Sequence, residues 1–230
     1  MTAIQLPILY SYRRCPYAMR ARMALKLANI EVEVREISLR DKPAHMLQVS
    51  PKATVPVLVL PDGGVIDESL EIMFFALQKH ATGLEYSSAS LGGNGPDHPL
   101  SNSLHEFDSP CIHAGAGVLI LENDSSFKQA LDAYKYPEKH PSKTQAQHRA
   151  EGEVFLKKLE NLLGQNIYLF DAKPSLADIA IFPFVRQFAA VDNAWFVGAA
   201  YPKLRAWLNG WMESELFKSV MQKQAVYTPM

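Results

Sequence analysis

The 230 residues carry 23 basic and 24 acidic side chains for a net charge of −1, with no long run of one sign, which argues against a nucleic-acid groove or a polybasic membrane patch. Two cysteines, Cys15 and Cys111, are too few for a disulfide framework and fit a reducing compartment. Residues 1–7 show neither the basic region nor the apolar stretch of a signal peptide, and the most apolar uncharged stretch, residues 109–121, is too short to span a bilayer. The expectation is a soluble cytoplasmic chain, long enough for one large domain or two small ones.

In chain order, residues 6–11 read as a first strand and residues 16–28 as a helix opened by Pro16. Proline suits that position because its φ is already helical and its missing N–H would go unpaired there anyway. Asn29 suits a left-handed cap. Residues 31–37 alternate polar and apolar, with Val32 and Val34 on one face, as a strand with one solvated side would. After a polar turn, residues 57–60 and 65–66 flank Pro61-Asp62-Gly63-Gly64, a hairpin signal. Leu70, Met73, Phe74 and Leu77 recur at helical spacing, so residues 69–80 form an amphipathic helix, with Ile72, Phe75 and Ala76 as a second apolar set away from the main stripe. The order β-α-β then β-β-α implies a parallel pair with a right-handed crossover, plus an antiparallel edge.

Composition then changes. Residues 82–103, with Gly92-Gly93-Asn94-Gly95-Pro96 at the centre, have too few apolar groups to bury and read as a linker. Beyond them helical periodicity dominates. Phe155, Leu159, Leu162 and Leu163 form a stripe before Gly164, and Ser175-Leu176-Ala177-Asp178 opens the next helix as a structural capping box. Pro183 should kink that helix. Residues 201–211 and 213–221 give two more short helices, and Trp195, Trp207 and Trp211 read as packing residues. The expected architecture is an α/β domain over residues 1–80, a linker over 81–100 and an all-helical domain over 101–230.

Three local features carry chemistry. Cys15 directly precedes Pro16, at the positive end of a helix dipole and facing the N–H groups of the first turn. Thiols so placed fall from a pKa near ~8.5 to roughly 3.5–7.5 and are largely thiolate at neutral pH. Val55-Pro56 stands just before a strand. It is either a cis turn whose Val55 backbone can pair with an extended peptide, or an ordinary trans proline at a strand's first residue. Asp67-Glu68-Ser69 opens the helix to residue 80, either as a holder of an amino-acid head group or as a plain acidic N-cap. Arg13, Arg14, Arg20 and Arg22 surround the thiol in sequence; Arg20 and Arg22 read as solvated. Cys111 reads as a buried, inert residue. The seven histidines show no metal-ligand spacing, so no metal site is expected.

Taken together, a thiol after strand one, Val-Pro before strand three and an acid-Ser pair at the last helix resemble a thioredoxin-like glutathione site. The chain resembles the cytosolic glutathione S-transferases, above all the cysteine-dependent omega-like and glutaredoxin-like types. The resemblance implies a βαβ-ββα thioredoxin-like domain followed by an all-helical one, and it covers the whole chain, most strongly residues 6–80. It implies that Cys15, in Cys15-Pro16-Tyr17-Ala18, forms a mixed disulfide with glutathione, and that Lys42, in Asp41-Lys42-Pro43, binds the glycine carboxylate. It further implies that Val55, before Pro56, bonds the cysteinyl backbone, and that Glu68 and Ser69 hold the γ-glutamyl group. Glutathione is then the co-substrate, the acceptor a small electrophilic, disulfide or dehydroascorbate-like molecule, and the assembly a homodimer.

Ala18 stands where a dithiol oxidoreductase carries its second cysteine, so monothiol exchange is the expected chemistry. Two rival functions remain: a conjugating transferase using Ser11 or a nearby tyrosine, and a non-enzymatic interaction protein on the same scaffold. A membrane-inserting relative of the intracellular chloride channels is disfavoured, because Arg20, Arg22 and Lys26 interrupt the segment that would insert.

Overall fold

A computed structural model describes residues 5–82 and 115–229. The chain divides into two compact units, Met1–His98 with Glu215–Met230, and Pro99–Ser214. Cys111 and linker residues 83–100 lie outside the described residues.

The first unit contains β1 (Ile8–Ser11), α1 (Pro16–Leu27), β2 (Glu33–Glu36), α2 (Ala44–Val49), β3 (Val57–Val59), β4 (Val65–Ile66) and α3 (Ser69–Thr82). The strands form one mixed sheet in the order β2-β1-β3-β4, with β1 parallel to β2 and antiparallel to β3, and β3 antiparallel to β4. This is the thioredoxin-like arrangement. The β3–β4 hairpin turns at Gly63, φ +89°, and Asp62 Oδ1 accepts from the Gly64 N–H at 3.0 Å. Helix α1 stops as expected at Asn29, φ +55°: the Asn29 N–H bonds the Lys26 carbonyl and the Ile30 N–H the Leu25 carbonyl, a Schellman closure. Helix α2 was not legible, since six residues give too little periodicity.

Two expectations about burial fail here. Along α3 it is Ile72, Phe75 and Ala76, with Met73, that are buried, while Leu70, Phe74 and Leu77 are half-buried. Both sets are apolar, and packing of α3 on α1 selects the one containing Ile72 and Ala76. Arg20 and Arg22 are not solvated: they are 2% and 7% exposed. Nine of the twelve residues of α1 are buried, so a side chain there must find its hydrogen bonds inside the unit.

The described part of the second unit holds helices and no strand: α4 (Ala116–Glu122), α5 (Lys128–Lys135), α6 (Gln145–Leu163), α7 (Leu176–Ala189), α8 (Asn193–Gly198) and α9 (Pro202–Glu213). Five residues of π-helix, Asn123–Phe127, join α4 to α5. Phe127, Phe155, Tyr134 and Phe188 form its aromatic core, with ring centroids 4.7–5.4 Å apart. Gly152 on α6 makes room for Phe188, whose ring would lie 2.3 Å from an added Cβ. Helix α7 continues through Pro183. Asp178, fully buried, is more than a cap: Oδ1 accepts from the Leu169 N–H and Trp207 Nε1, and Oδ2 from the Ser175 N–H and hydroxyl.

The last helix, α10 (Glu215–Val220), belongs with the first unit rather than with the helical one, against the expected 101–230 boundary. It packs on α1, and the tail beyond it runs parallel to β2, bridging Glu36 to Val226. Strand β2 is a sheet edge with unpaired backbone groups, and the tail satisfies one of them, the Glu36 carbonyl accepting from the Tyr227 N–H at 2.7 Å.

Candidate active site

Cys15 is the N-cap residue of α1 with extended backbone, and Pro16 occupies the first helical position. Its sulfur makes no capping bond to the first turn, a departure from the expected orientation. The thiol instead donates to the Val55 carbonyl at 3.7 Å. Cys15 is half-buried and packs on the cluster of Tyr10, Ala18, Ile37, Met46, Val55, Val57 and Val59. Its own N–H bonds the Tyr12 carbonyl at 3.0 Å, which closes the turn between β1 and α1. The Val55-Pro56 bond is cis, which decides between the two readings of that dipeptide. Ala53, two residues earlier, sits at φ +54°, a left-handed conformation costly for a residue with a Cβ.

Ser69 begins α3 and is buried; its hydroxyl oxygen accepts from Arg20 Nε at 3.1 Å and Nη2 at 2.9 Å. The Arg20 guanidinium also lies 5.0 Å from the Tyr17 ring centroid. Glu68 is exposed and pairs with Lys52 Nζ at 2.7 Å, while Asp67 accepts from Lys52 at 3.1 Å and from the Ser50 hydroxyl at 2.8 Å. These carboxylates push the Lys52 ammonium up to about 12, the bond to Glu68 contributing most. Lys52 and Ser50 were not singled out by the sequence, and Arg20 was read as solvated, because their partners lie 15 to 49 residues away, where no local pattern reaches. Lys42 is half-buried just ahead of α2, and no ion pair to it is formed among the described residues.

The turn itself holds a second surprise. Ser11 is fully buried, and its hydroxyl oxygen accepts from Arg22 Nη1. Arg14, at the exposed rim, donates to the Tyr12 hydroxyl at 2.9 Å. The structure thus brings Cys15 against Val55 and places Ser69 and Glu68 together at one helix start.

A glutathione S-transferase N-terminal domain model matches residues 9–83, and a C-terminal domain model of the same family matches residues 143–210. The chain belongs to the glutathione S-transferase family. One similar sequence is glutathione S-transferase omega-1 of Mus musculus, 25% identical over 199 residues, covering 86% of this chain and 73% of that one. Among solved structures, glutathione transferase Omega 3C from Trametes versicolor superposes with a TM-score of 0.71 at 22% identity, covering 98% and 93% of the two chains. A glutathione transferase from Phanerochaete chrysosporium, in complex with oxidized glutathione, reaches 0.71 at 18% identity over 96% of each chain. Glutathione is the co-substrate of this family.

Two surface clefts of the helical unit, about 470 and 700 Å³, carry no reactive constellation. His148 in the larger cleft is satisfied by the His140 carbonyl at 3.0 Å. Among the described residues no cluster of three or more His, Cys, Asp or Glu side chains could hold a metal ion, and no helix is long and apolar enough to cross a membrane.

Proposed function

We propose that this transferase is a glutathione-dependent thiol transferase and reductase whose nucleophile is Cys15. The supporting observation is a single thiol at the N-cap of α1, 3.7 Å from the Val55 carbonyl, with Ala18 in the position of a resolving cysteine. With no second thiol in the motif, exchange proceeds through one sulfur. The Cys15 thiolate attacks the glutathionyl sulfur of a mixed disulfide R–S–SG. That S–S bond breaks, the departing thiolate takes up a proton as R–SH, and Cys15–S–SG remains. The thiolate of a second glutathione then attacks the glutathionyl sulfur, releasing GS–SG and restoring the Cys15 thiolate. One disulfide is reduced and one formed, so the cycle balances as R–S–SG + GSH → R–SH + GS–SG.

In this reading the Val55 backbone pairs with the cysteinyl residue of glutathione, and Ser69 and Glu68 receive the γ-glutamyl head group. The ammonium of that group takes the place of Lys52 on Glu68. Lys42 meets the glycine carboxylate. Dehydroascorbate-like acceptors would react through the same Cys15–S–SG state. Reduction is favoured over conjugation because a cysteine thiolate competes to bond glutathione's sulfur rather than merely activating it. The omega-type sequence relative supports the reading, which also takes the chain to be cytoplasmic and dimeric.

Intact mass spectrometry after exposure to oxidised glutathione tests it. One glutathionyl adduct at position 15, reversed by reduced glutathione and absent in Cys15→Ala, is the expected result. Aryl-halide conjugation that survives Cys15→Ala, with no disulfide reduction in the unaltered chain, would establish the conjugating alternative. Failure to bind immobilised glutathione, with an unreactive Cys15, would point to the interaction protein.

A further inference from the structure

Arg22 is buried one and a half turns beyond Pro16 on α1, and its guanidinium joins two distant segments of the first unit. Toward the Cys15 turn, Nη1 donates to the Ser11 hydroxyl and, at 3.4 Å, to the Tyr12 carbonyl, while Nη2 donates to the Arg13 carbonyl at 2.8 Å. Toward the C-terminus, Nε donates to the Val220 carbonyl at 3.1 Å, at the end of α10. Tyr12 O is the same carbonyl that accepts from the Cys15 N–H. Glu36 grips this turn too: its Oε1 accepts from the Arg13 N–H at 2.8 Å, while its backbone carbonyl is held by the Tyr227 N–H of the tail. A cation and an anion therefore clasp the turn between β1 and α1, and the C-terminal segment fastens both.

We propose that Arg22 and Glu36 are opposed positioning residues for Cys15. Arg22 shapes the turn and favours the thiolate, and Glu36 shapes the same turn and disfavours it. The inference rests on Cys15 acting as a thiolate. A nearby cation stabilises an ionised thiol and a nearby anion does the reverse; Arg22 is buried and little screened by solvent or salt, and Glu36 is half-buried and screened more. The charged groups acting on Arg22 are Glu36 on β2 with Cys15 and Arg13 on the turn. Burial draws Arg22 down to about 10, Glu36 and Cys15 oppose that shift, and Arg13 adds to it. The C-terminal segment matters because the Val220 carbonyl occupies Nε and keeps the fork aimed at residues 11–13.

The test is the pH dependence of Cys15 alkylation by iodoacetamide, mapped by peptide mass and accompanied by circular dichroism. Arg22→Gln is expected to raise the midpoint by about one pH unit, and Arg22→Lys by less, since it keeps the charge but loses the fork. Glu36→Gln, which still offers an oxygen to the Arg13 N–H, is expected to lower the midpoint. Loosening of the fold alone would move both Gln variants the same way. Equal-sign shifts, or no shift in either, would overturn the proposal. If Arg22→Gln does not fold, Glu36→Gln decides by itself, an unchanged or raised midpoint being fatal. An ordinary midpoint near ~8.5 in the unaltered chain would instead sink the thiol-transferase reading, while the opposed shifts about that value still decide the roles of Arg22 and Glu36.

Discussion

The buried cations of the first unit and the buried carboxylate of the helical unit solve the same problem for different ends. Arg20 and Arg22 find acceptors on Ser69 and on residues 11–13, the groups that flank the candidate head-group site and the Cys15 thiol. Asp178 finds four donors on Leu169, Ser175 and Trp207, none of which has chemistry of its own. Each ion is fully engaged, as burial demands. The difference teaches where substitutions should register: as altered reactivity in the thioredoxin-like unit, and as lost stability in the helical one.

The sharpest test of that contrast is Asp178→Ala. It strands two backbone N–H groups, a hydroxyl and an indole N–H inside the unit, and should cost about 3–5 kcal/mol in urea unfolding. Asp178→Asn retains an oxygen and should lose less. A tolerant Asp178→Ala would break the comparison outright. Next comes Gly152→Ala, whose Cβ would lie 2.3 Å from Phe188 Cε2. Both the ring and α6 must shift, at roughly 1–3 kcal/mol by thermal unfolding.

Ser69→Ala sits where the two kinds of effect meet. It deprives buried Arg20 of the oxygen that accepts both Nε and Nη2, for a loss of about 1–3 kcal/mol, and it should also weaken retention on immobilised glutathione. A stability loss with unchanged retention would leave Ser69 a purely structural residue. The smallest effect concerns Tyr201, whose hydroxyl donates to Glu153 at 2.8 Å. Burial first, and then Glu153, holds its proton well above the ordinary phenol range. The unfolded chain therefore ionises this tyrosine before the folded one does. The stabilisation is fully present below about pH 10 and is lost as pH rises further. Tyr201→Phe should flatten that alkaline decline of the melting temperature; an unchanged decline would remove Tyr201 from the account.

Much of the first unit was legible because its signals are local. Pro16, Asn29 and the Pro-Asp-Gly-Gly turn each constrain their own backbone, and the four strands follow between them. The place of Cys15 before a helix-opening proline was legible for the same reason, and the Ser175-x-x-Asp178 box announced its helix start, whereas the sequence left Val55-Pro56 open between cis and trans. The fates of Arg20 and Arg22 were not legible. An arginine reads as solvated unless something 49 or 198 residues away offers an acceptor, as Ser69 and Val220 do here. Helix α10 reads as helical, yet nothing local says which unit it joins.

Amino-acid order alone determined the α/β-then-helical plan, the place of a thiol before a helix-opening proline, and the absence of a second cysteine three residues on. Those properties are set by periodicity, backbone preference and residue identity, each of which acts within a few residues. Only the tertiary structure decided which face of α3 is buried, that Ser11 is enclosed, and that Arg22, Glu36 and the C-terminal segment converge on the Cys15 turn. Burial and long-range hydrogen bonding exist only once the chain has closed on itself, so no local reading contains them.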